Sequence, residues 1–223
     1  KFFSIISHDL RNPVTSIDQL IEVILMQYDT ASDDKIKLYL NSLHKSSSNT
    51  LELLNNLLIW AQTQTNRITI KKKPIPVDDL LINVETLCDE LANNKNIKLI
   101  LPFDTKLKVN ADKNTIQTVL RNLVTNAIKF TNPEGTIEVK VESKGLEVIF
   151  KVSDTGIGMK ESEVANLFKI ENISSKTGTS GESGTGLGLV ICNEFLKLNG
   201  SKINVESQLG KGTTFWFSLE KYR

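Results

Sequence analysis

Phe3-Ser4-Ile5-Ile6-Ser7-His8-Asp9-Leu10-Arg11-Asn12-Pro13 opens the chain with a helical pattern. Apolar residues return at Phe3, Ile6, Leu10, Ile17, Ile21 and Ile24, the spacing of one face of an amphipathic helix. At about 100° per residue, His8 falls opposite that face, with Asn12 and Thr15 beside it and Asp9 on the flank. His8 is therefore expected to project away from the core, with a carboxylate next to it and an amide one turn on. Imidazole is nucleophilic near neutral pH, and a neighbouring carboxylate can take its proton or orient its ring. Taken alone, an exposed histidine is most often a solvated side chain. Pro13 lacks the N–H that would reach the Asp9 carbonyl, which predicts a bend just after the histidine.

Working outward, residues 1–28 read as the first helix. Asp29, Thr30, Ser32 and Asp33 make a connecting loop in which Ser32 or Asp33 can cap the next helix. Residues 35–66 repeat the pattern through Leu40, Leu43, Ser47, Leu51, Leu54, Leu58 and Ala61, without Gly or Pro. Two long helices and a short loop form an antiparallel hairpin. Its apolar stripe is too wide for one hairpin to bury, and two hairpins packed as a four-helix bundle solve that problem. A homodimer through residues 1–66 is the expectation. His44, in the polar run Lys45-Ser46-Ser47-Ser48, reads as a surface side chain.

Ile68, Ile70 and the lysines at 71–73 alternate like a short strand, and Pro74-Ile75-Pro76 reads as a stiff connector. Residues 67–76 are thus the expected linker, and residues 77–223 the second domain. That domain begins with a helix from Asp78 or Asp79 to about Asn94, then strands at 96–101 and 107–110. A helix over 113–131 has Ile116, Leu120, Leu123, Val124, Ala127 and Ile128 on its apolar side. Residues 136–143 and 146–153 alternate around Lys144-Gly145, a hairpin signature. A Gly-, Ser- and Thr-rich stretch, a helix over 185–198 and strands at 202–206 and 213–219 follow. Helices mixed with paired antiparallel strands predict an α/β sandwich, a mixed sheet with helices on one face.

Four short segments of this second domain carry polar chemistry. In Asn122-Leu123-Val124-Thr125-Asn126-Ala127-Ile128-Lys129-Phe130-Thr131, the residues Asn122, Asn126 and Lys129 share one helix face. An amide oxygen there can ligate a metal and the ammonium can hold a phosphate. Asp154-Thr155-Gly156-Ile157-Gly158-Met159 follows a strand: its carboxylate can accept from an exocyclic amine, and its glycines let backbone approach a flat ring. Gly184-Thr185-Gly186-Leu187-Gly188-Leu189 opens a helix, where backbone N–H groups suit an anion. It lacks the preceding strand of a dinucleotide fingerprint and the form of a P-loop. Gly210-Lys211-Gly212-Thr213-Thr214-Phe215 is a turn into a strand. Each segment alone has an ordinary reading as a turn or the polar side of a helix.

The opening stretch resembles the phosphoacceptor box of sensor histidine kinases of two-component systems, whose pattern is an aromatic followed by Ser-His-Glu/Asp-Leu-Arg-x-Pro. The four later segments, in this order, resemble the asparagine box and the three glycine boxes of that family's ATP-binding domain, of the same superfamily as the gyrase and mismatch-repair ATPases. The resemblance covers essentially all of residues 1–223. It implies an α + α/β chain: a helical hairpin forming a dimeric four-helix bundle, then an α/β sandwich ATP-binding domain of the Bergerat (GHKL) type. It also implies the cofactors ATP and Mg²⁺ and specific roles. Asn126 would ligate Mg²⁺, with Asn122 supporting the phosphate end. Lys129 would contact phosphate and Phe130 would pack near the nucleoside. Asp154 would take the adenine amine in a pocket shaped by Gly156 and Gly158. The segment Gly184, Thr185, Gly186, Leu187 and Gly188 would form the triphosphate turn, and Thr213 would lie near adenine through water. Residues 169–183 would be a lid, with Lys176 reaching phosphate. The family often carries two or three Phe residues before the lid; here Phe168 stands alone, a departure that bears on how the lid docks.

Water-splitting relatives place a glutamate four residues before the metal-binding asparagine. Here that residue is Asn122, a poor base, which favours transfer to a better nucleophile than water. The implied activity is autophosphorylation of His8, with Asp9 as base or ring orienter, then transfer to a response-regulator aspartate. Asn12 occupies the place of the family's phosphatase amide. Two alternatives are a non-phosphorylating ATPase or chaperone-like module of the same superfamily, which leaves the opening box unexplained, and a dimeric pseudokinase scaffold, which needs none of Asn126, Asp154 or Gly184.

The remaining observations set bounds. Lys+Arg 27 against Asp+Glu 26 gives a net charge of +1, no case for nucleic-acid binding. Cys88 and Cys192 form no C-x-x-C pair and read as reduced core thiols of a cytoplasmic protein. No run of about 18 apolar residues predicts a membrane span. His8 lies two turns from the first residue, so an upstream signal-sensing part, and through it any membrane anchor, is expected; a receiver domain could follow residue 223.

Overall fold

Two long helices come first in the computed structural model, which describes residues 2–28, 30–65, 68–169, 176–182, 184 and 186–222, and only the backbone of residues 2–9. Helix α1 spans Phe2–Gln27 and α2 spans Asp33–Gln64. They pack against one another. Helix α1 runs through Pro13 as a single element; the missing N–H interrupts one bond of the ladder without ending the helix. Ser32 is the N-cap residue of α2 by backbone conformation, but its hydroxyl makes no capping bond. Ile21, Leu25, Leu40, Leu51, Leu54 and Leu58 remain exposed along the hairpin. Leu53, in contrast, is buried within the core cluster of the second domain, and α2 touches the helix that follows the glycine turn.

The second domain is built on a five-stranded sheet. Its strands are β2 Lys98–Ile100, β4 Thr136–Lys144, β5 Glu147–Asp154, β6 Asn204–Gln208 and β7 Gly212–Glu220, ordered β2-β4-β5-β7-β6. β2 runs parallel to β4 and the other pairs are antiparallel. Alternate residues face in: Ile137 and Val139, then Val148, Phe150 and Val152, then Phe215, Phe217 and Leu219 are all buried, as strand periodicity requires. Phe150 and Phe217 are register partners and stack with ring centroids 5.1 Å apart. Over this face lie α3 Val77–Asn94, α4 Lys113–Phe130 and α6 Gly188–Leu198. Both cysteines are free and buried, and burial pushes Cys88 up to about 11 and Cys192 to about 12. Among the described residues no helix is long and apolar enough to cross a membrane.

Helix α4 is central. Ile116, Val119, Leu120, Leu123, Val124, Ala127 and Ile128 are all buried, a stripe with helical period. Its start is fixed by Asp112, whose Oδ1 accepts from the Thr115 N–H at 3.1 Å. Asp112 Oδ2 accepts from the Lys71 N–H at 3.0 Å, and Lys72 Nζ donates to Asn199 O at 2.8 Å. The lysine run thus ties the incoming chain to the domain.

Three expectations shift. The strand near the linker is β1 Lys73–Pro76, paired antiparallel with β3 Lys108–Ala111; Pro74-Ile75-Pro76 is therefore part of a ladder rather than a free connector. Proline's fixed φ suits an extended edge, and Ile75 between the prolines is buried. The β4–β5 turn is Gly145-Leu146, one residue later than read, because Gly145 takes φ 61. Helix α6 starts at Gly188 rather than 185, because Gly186 has φ 70. A one-turn helix, α5 Glu161–Val164, was not anticipated.

Phe217→Ala is expected to lower unfolding stability by about 3–5 kcal/mol, since it removes a fully buried ring, whereas exposed Lys140→Ala changes it by less than about 0.5 kcal/mol. Urea denaturation of both variants checks the difference.

Candidate functional site

The carboxyl end of α4 meets the end of β5 and the start of β7, and the site lies where they converge. β5 ends at Asp154, the register partner of Thr213 on β7. Asp154 Oδ1 accepts from the Gly156 N–H at 2.8 Å and from the Thr213 N–H at 3.2 Å. Both backbone donors use one oxygen, which leaves Oδ2 for an incoming donor. Burial raises the Asp154 carboxyl above its usual 3.8, against the two backbone hydrogen bonds, which lower it. A half-desolvated carboxylate of this kind is an acceptor in search of a donor.

Close backbone approach makes this floor. A Cβ on Gly156 would collide with the Phe130 carbonyl, one on Gly158 with the Gln208 carbonyl, and one on Gly212 with the Asp154 carbonyl. Gly158 and Gly212 also have φ 63 and φ 106, values that disfavour other residues. Ile157 donates to Phe130 O at 3.0 Å and accepts from Gly210 at 2.7 Å. Thr213 is buried, and its hydroxyl lies 2.8 Å from Ser207 Oγ, which also meets Gly212 O at 3.0 Å and the Met159 N–H at 2.9 Å. Ser207 was not singled out from sequence: it lies on β6 but one residue past the strand read at 202–206.

The polar face of α4 supplies the other end. Asn122 donates through Nδ2 to Thr118 O at 3.0 Å, and its Oδ1 faces Gly188, where a Cβ would come to 2.9 Å. Asn126, one turn on, is half-buried, and its amide takes no partner among the described residues. Lys129 Nζ lies 4.9 Å above the Phe130 ring and against Gly184. Burial lowers the Lys129 ammonium, opposed by the charges of Glu182 and Glu52. The sequence-derived residues Asn122, Asn126, Lys129, Phe130, Asp154, Gly156, Gly158, Gly184, Gly188 and Thr213 therefore gather in one region. Leu187 is buried beneath the turn.

Lys176 Nζ pairs with Glu163 of α5. The side chains of His8 and Asp9, and the residue Thr185, lie outside the described residues. Asn12 is exposed on α1. Among the described residues no three His, Cys, Asp or Glu side chains cluster as a metal cage. One amide oxygen, that of Asn126, suits a cation that arrives with its own phosphate and water ligands.

Residues 1–66 match the His Kinase A (phospho-acceptor) domain, and residues 111–223 match the histidine kinase-, DNA gyrase B-, and HSP90-like ATPase family. The chain is the catalytic core of a sensor histidine kinase. The circadian input-output histidine kinase CikA of Synechococcus elongatus is 32% identical over 219 residues, which cover 96% of this chain and 29% of that protein. The chain thus spans under a third of that relative's length. Among solved structures, the histidine kinase AdeS of Acinetobacter baumannii shares the fold over 97% of this chain and 98% of its own, with a TM-score of 0.74 and 20% identity. The catalytic domain of the histidine kinase ThkA covers 68% of this chain and 96% of its own, at 29% identity and a TM-score of 0.58. In this kinase core the region around Asp154 belongs to an ATPase-type domain, which binds ATP.

Asp154→Asn is expected to weaken ATP binding at least about tenfold, the cost of losing one charged acceptor, while raising stability at pH 7. The raised carboxyl keeps its proton in the folded state to higher pH than in the unfolded state, so this group costs stability as pH rises above 3.8. The stability gain of the variant should be complete at neutral pH and shrink as pH falls towards that value. Nucleotide titration and urea midpoints at two pH values check both.

Proposed function

We propose that this chain is an ATP-dependent histidine autokinase that phosphorylates His8 and passes the phosphoryl group to a response-regulator aspartate. The observation that carries the reading is the convergence of Asp154, Thr213 and the α4 amides in one site, on a chain whose first 66 residues match a phospho-acceptor domain. The division taken is an acceptor hairpin of residues 1–66, a connector of residues 67–76 that ends in β1, and an ATP-binding domain of residues 77–223. The exposed leucines of α1 and α2 would be covered by a second copy in a four-helix bundle.

In this reading Asp154 Oδ2 accepts the adenine amine, and Gly156 and Gly158 leave room for the ring. Lys129 and the N–H groups around Gly184, Gly186 and Gly188 hold the phosphates. Asn126 would hold Mg²⁺ through its amide oxygen, with Asn122 beside it, and the ion would offset charge on the phosphoryl group. A nitrogen of His8 attacks the γ-phosphorus in line, the bond to the β–γ bridging oxygen breaks, and ADP leaves. Asp9 orients the ring or takes its proton. Asn122 supports transfer over hydrolysis, because an amide cannot deprotonate water.

Incubation with γ-labelled ATP and Mg²⁺ tests this. Acid-labile label should appear on the wild-type chain and vanish in His8→Gln; label persisting in the variant would place the phosphoryl group on another residue. Asn12, exposed one turn after His8, is assigned to hold water for dephosphorylation of the regulator. Asn12→Ala should slow that step by about tenfold or more while sparing His8 labelling; equal dephosphorylation by both proteins would remove Asn12 from this role.

A further inference from the structure

Among the described residues, Lys95 is the only charged side chain that is buried. The turn that ends α3 puts it there. Asn96 takes φ 54 and donates to Asn93 O at 3.0 Å, and Ile97 donates to Ala92 O at 2.9 Å, a helix-ending motif with asparagine in the left-handed position. This turns Lys95 back against the carboxyl end of α4. Its ammonium donates to Ile128 O at 2.8 Å, to Lys129 O at 3.0 Å and to Glu182 Oε1 at 2.5 Å. The first two are terminal carbonyls that the helix itself cannot satisfy, at the end where a cation is favoured. A buried ammonium is tolerated when its donors are all used.

Glu182 belongs to the stretch leading to the glycine turn. Its Oε2 accepts from the Ser180 N–H at 2.8 Å and its carbonyl from the Gly178 N–H at 2.8 Å. Thr179 donates its N–H to Lys129 O at 3.0 Å and its hydroxyl to Thr131 O at 2.8 Å. Gly178 sits so close that a Cβ would lie 2.6 Å from Lys129 Cγ. Residues 178–182 are therefore strapped to the last turn of α4, two residues before Gly184 reaches Lys129 Nζ. Burial raises the Glu182 carboxyl, but hydrogen bonds from Lys95 and from the Glu182 and Ser180 N–H groups outweigh it, leaving it below the usual carboxylate range.

We propose that Lys95 and Glu182 are a positioning pair for the nucleotide site: their ion pair fastens residues 178–182 to the end of α4, so that Gly184 stands beside Lys129 before nucleotide binds. This rests on the nucleotide reading of the site. Among the described residues neither side chain hydrogen-bonds Asp154 or Thr213, so the pair acts chiefly on the phosphate end, by lowering the cost of ordering Gly184 beside Lys129.

The test uses the whole chain and Glu182→Ala, whose side chain is partly exposed and whose loss does not open the core. Without nucleotide, amide exchange at Thr179, whose N–H is bonded to Lys129 O and not to Glu182, should speed up by about tenfold. Affinity for Mg²⁺·ATP should fall about three- to tenfold while that for AMP stays within about twofold. Lys95→Met should show the same exchange with a lower melting temperature, since α4 also loses its cap. The double variant should exchange no faster than Lys95→Met, as expected of residues acting through one bond. Unchanged exchange in Glu182→Ala would overturn the latch. Equal losses for ATP and AMP would make the pair a general stabiliser instead. A wild-type chain that binds neither nucleotide overturns the underlying site reading, and the role of the pair in it, whatever the exchange shows.

Discussion

The buried stripe of α4 sets the position of everything that matters for chemistry. Residues from Ile116 to Ile128 on one face are locked between the sheet, α3 and α6. Because a helix turns about 100° per residue, burying that face fixes where Asn122, Asn126 and Lys129 point. Close packing makes this rigid: a core at crystal-like density does not let one helix rotate alone. The amides and the ammonium are held in place without extensive hydrogen bonding of their own, so their polar atoms stay available to a ligand.

The ends of α4 are fastened with equal care. At the start, Asp112 caps the helix and simultaneously receives the Lys71 N–H, while Asn199 Oδ1 accepts from the Asp112 N–H at 2.9 Å. At the finish, Lys95 takes the last carbonyls. The first joint binds the chain arriving from the helical hairpin; the second binds the stretch leading into the glycine turn. The adenine floor depends on a different device, the absence of side chains at Gly156, Gly158 and Gly212, which lets three backbone segments meet around the Asp154 carboxylate.

Much of this was legible in the sequence because it is local. The α4 stripe has a helical period, the β4–β5 hairpin alternates around a glycine, and the glycine segments announce turns. The polar face of α4 followed from its apolar one. What escaped was either short or long-range. Four residues of α5 carry too little pattern to register. Pro74 and Pro76 masked β1, since prolines are rare in strands and here sit in a two-stranded ladder. The Lys95–Glu182 bond joins residues 87 apart, and no spacing rule connects them; Asn96 after Lys95 was the one local sign, a residue suited to a left-handed helix end. The same proximity problem hid Glu163, which holds Lys176.

The central claim is that α4, the segment after β5 and the start of β7 form one nucleotide site. Amide and side-chain NMR shifts during titration with Mg²⁺·ADP test it directly. The account predicts perturbation at Gly156, Gly158, Thr213 and the side-chain amides of Asn122 and Asn126, with the outward face of the sheet at Lys140 and Lys151 unchanged. Shifts confined to other surfaces, or none around Asp154 and Thr213 at saturating nucleotide, would contradict it.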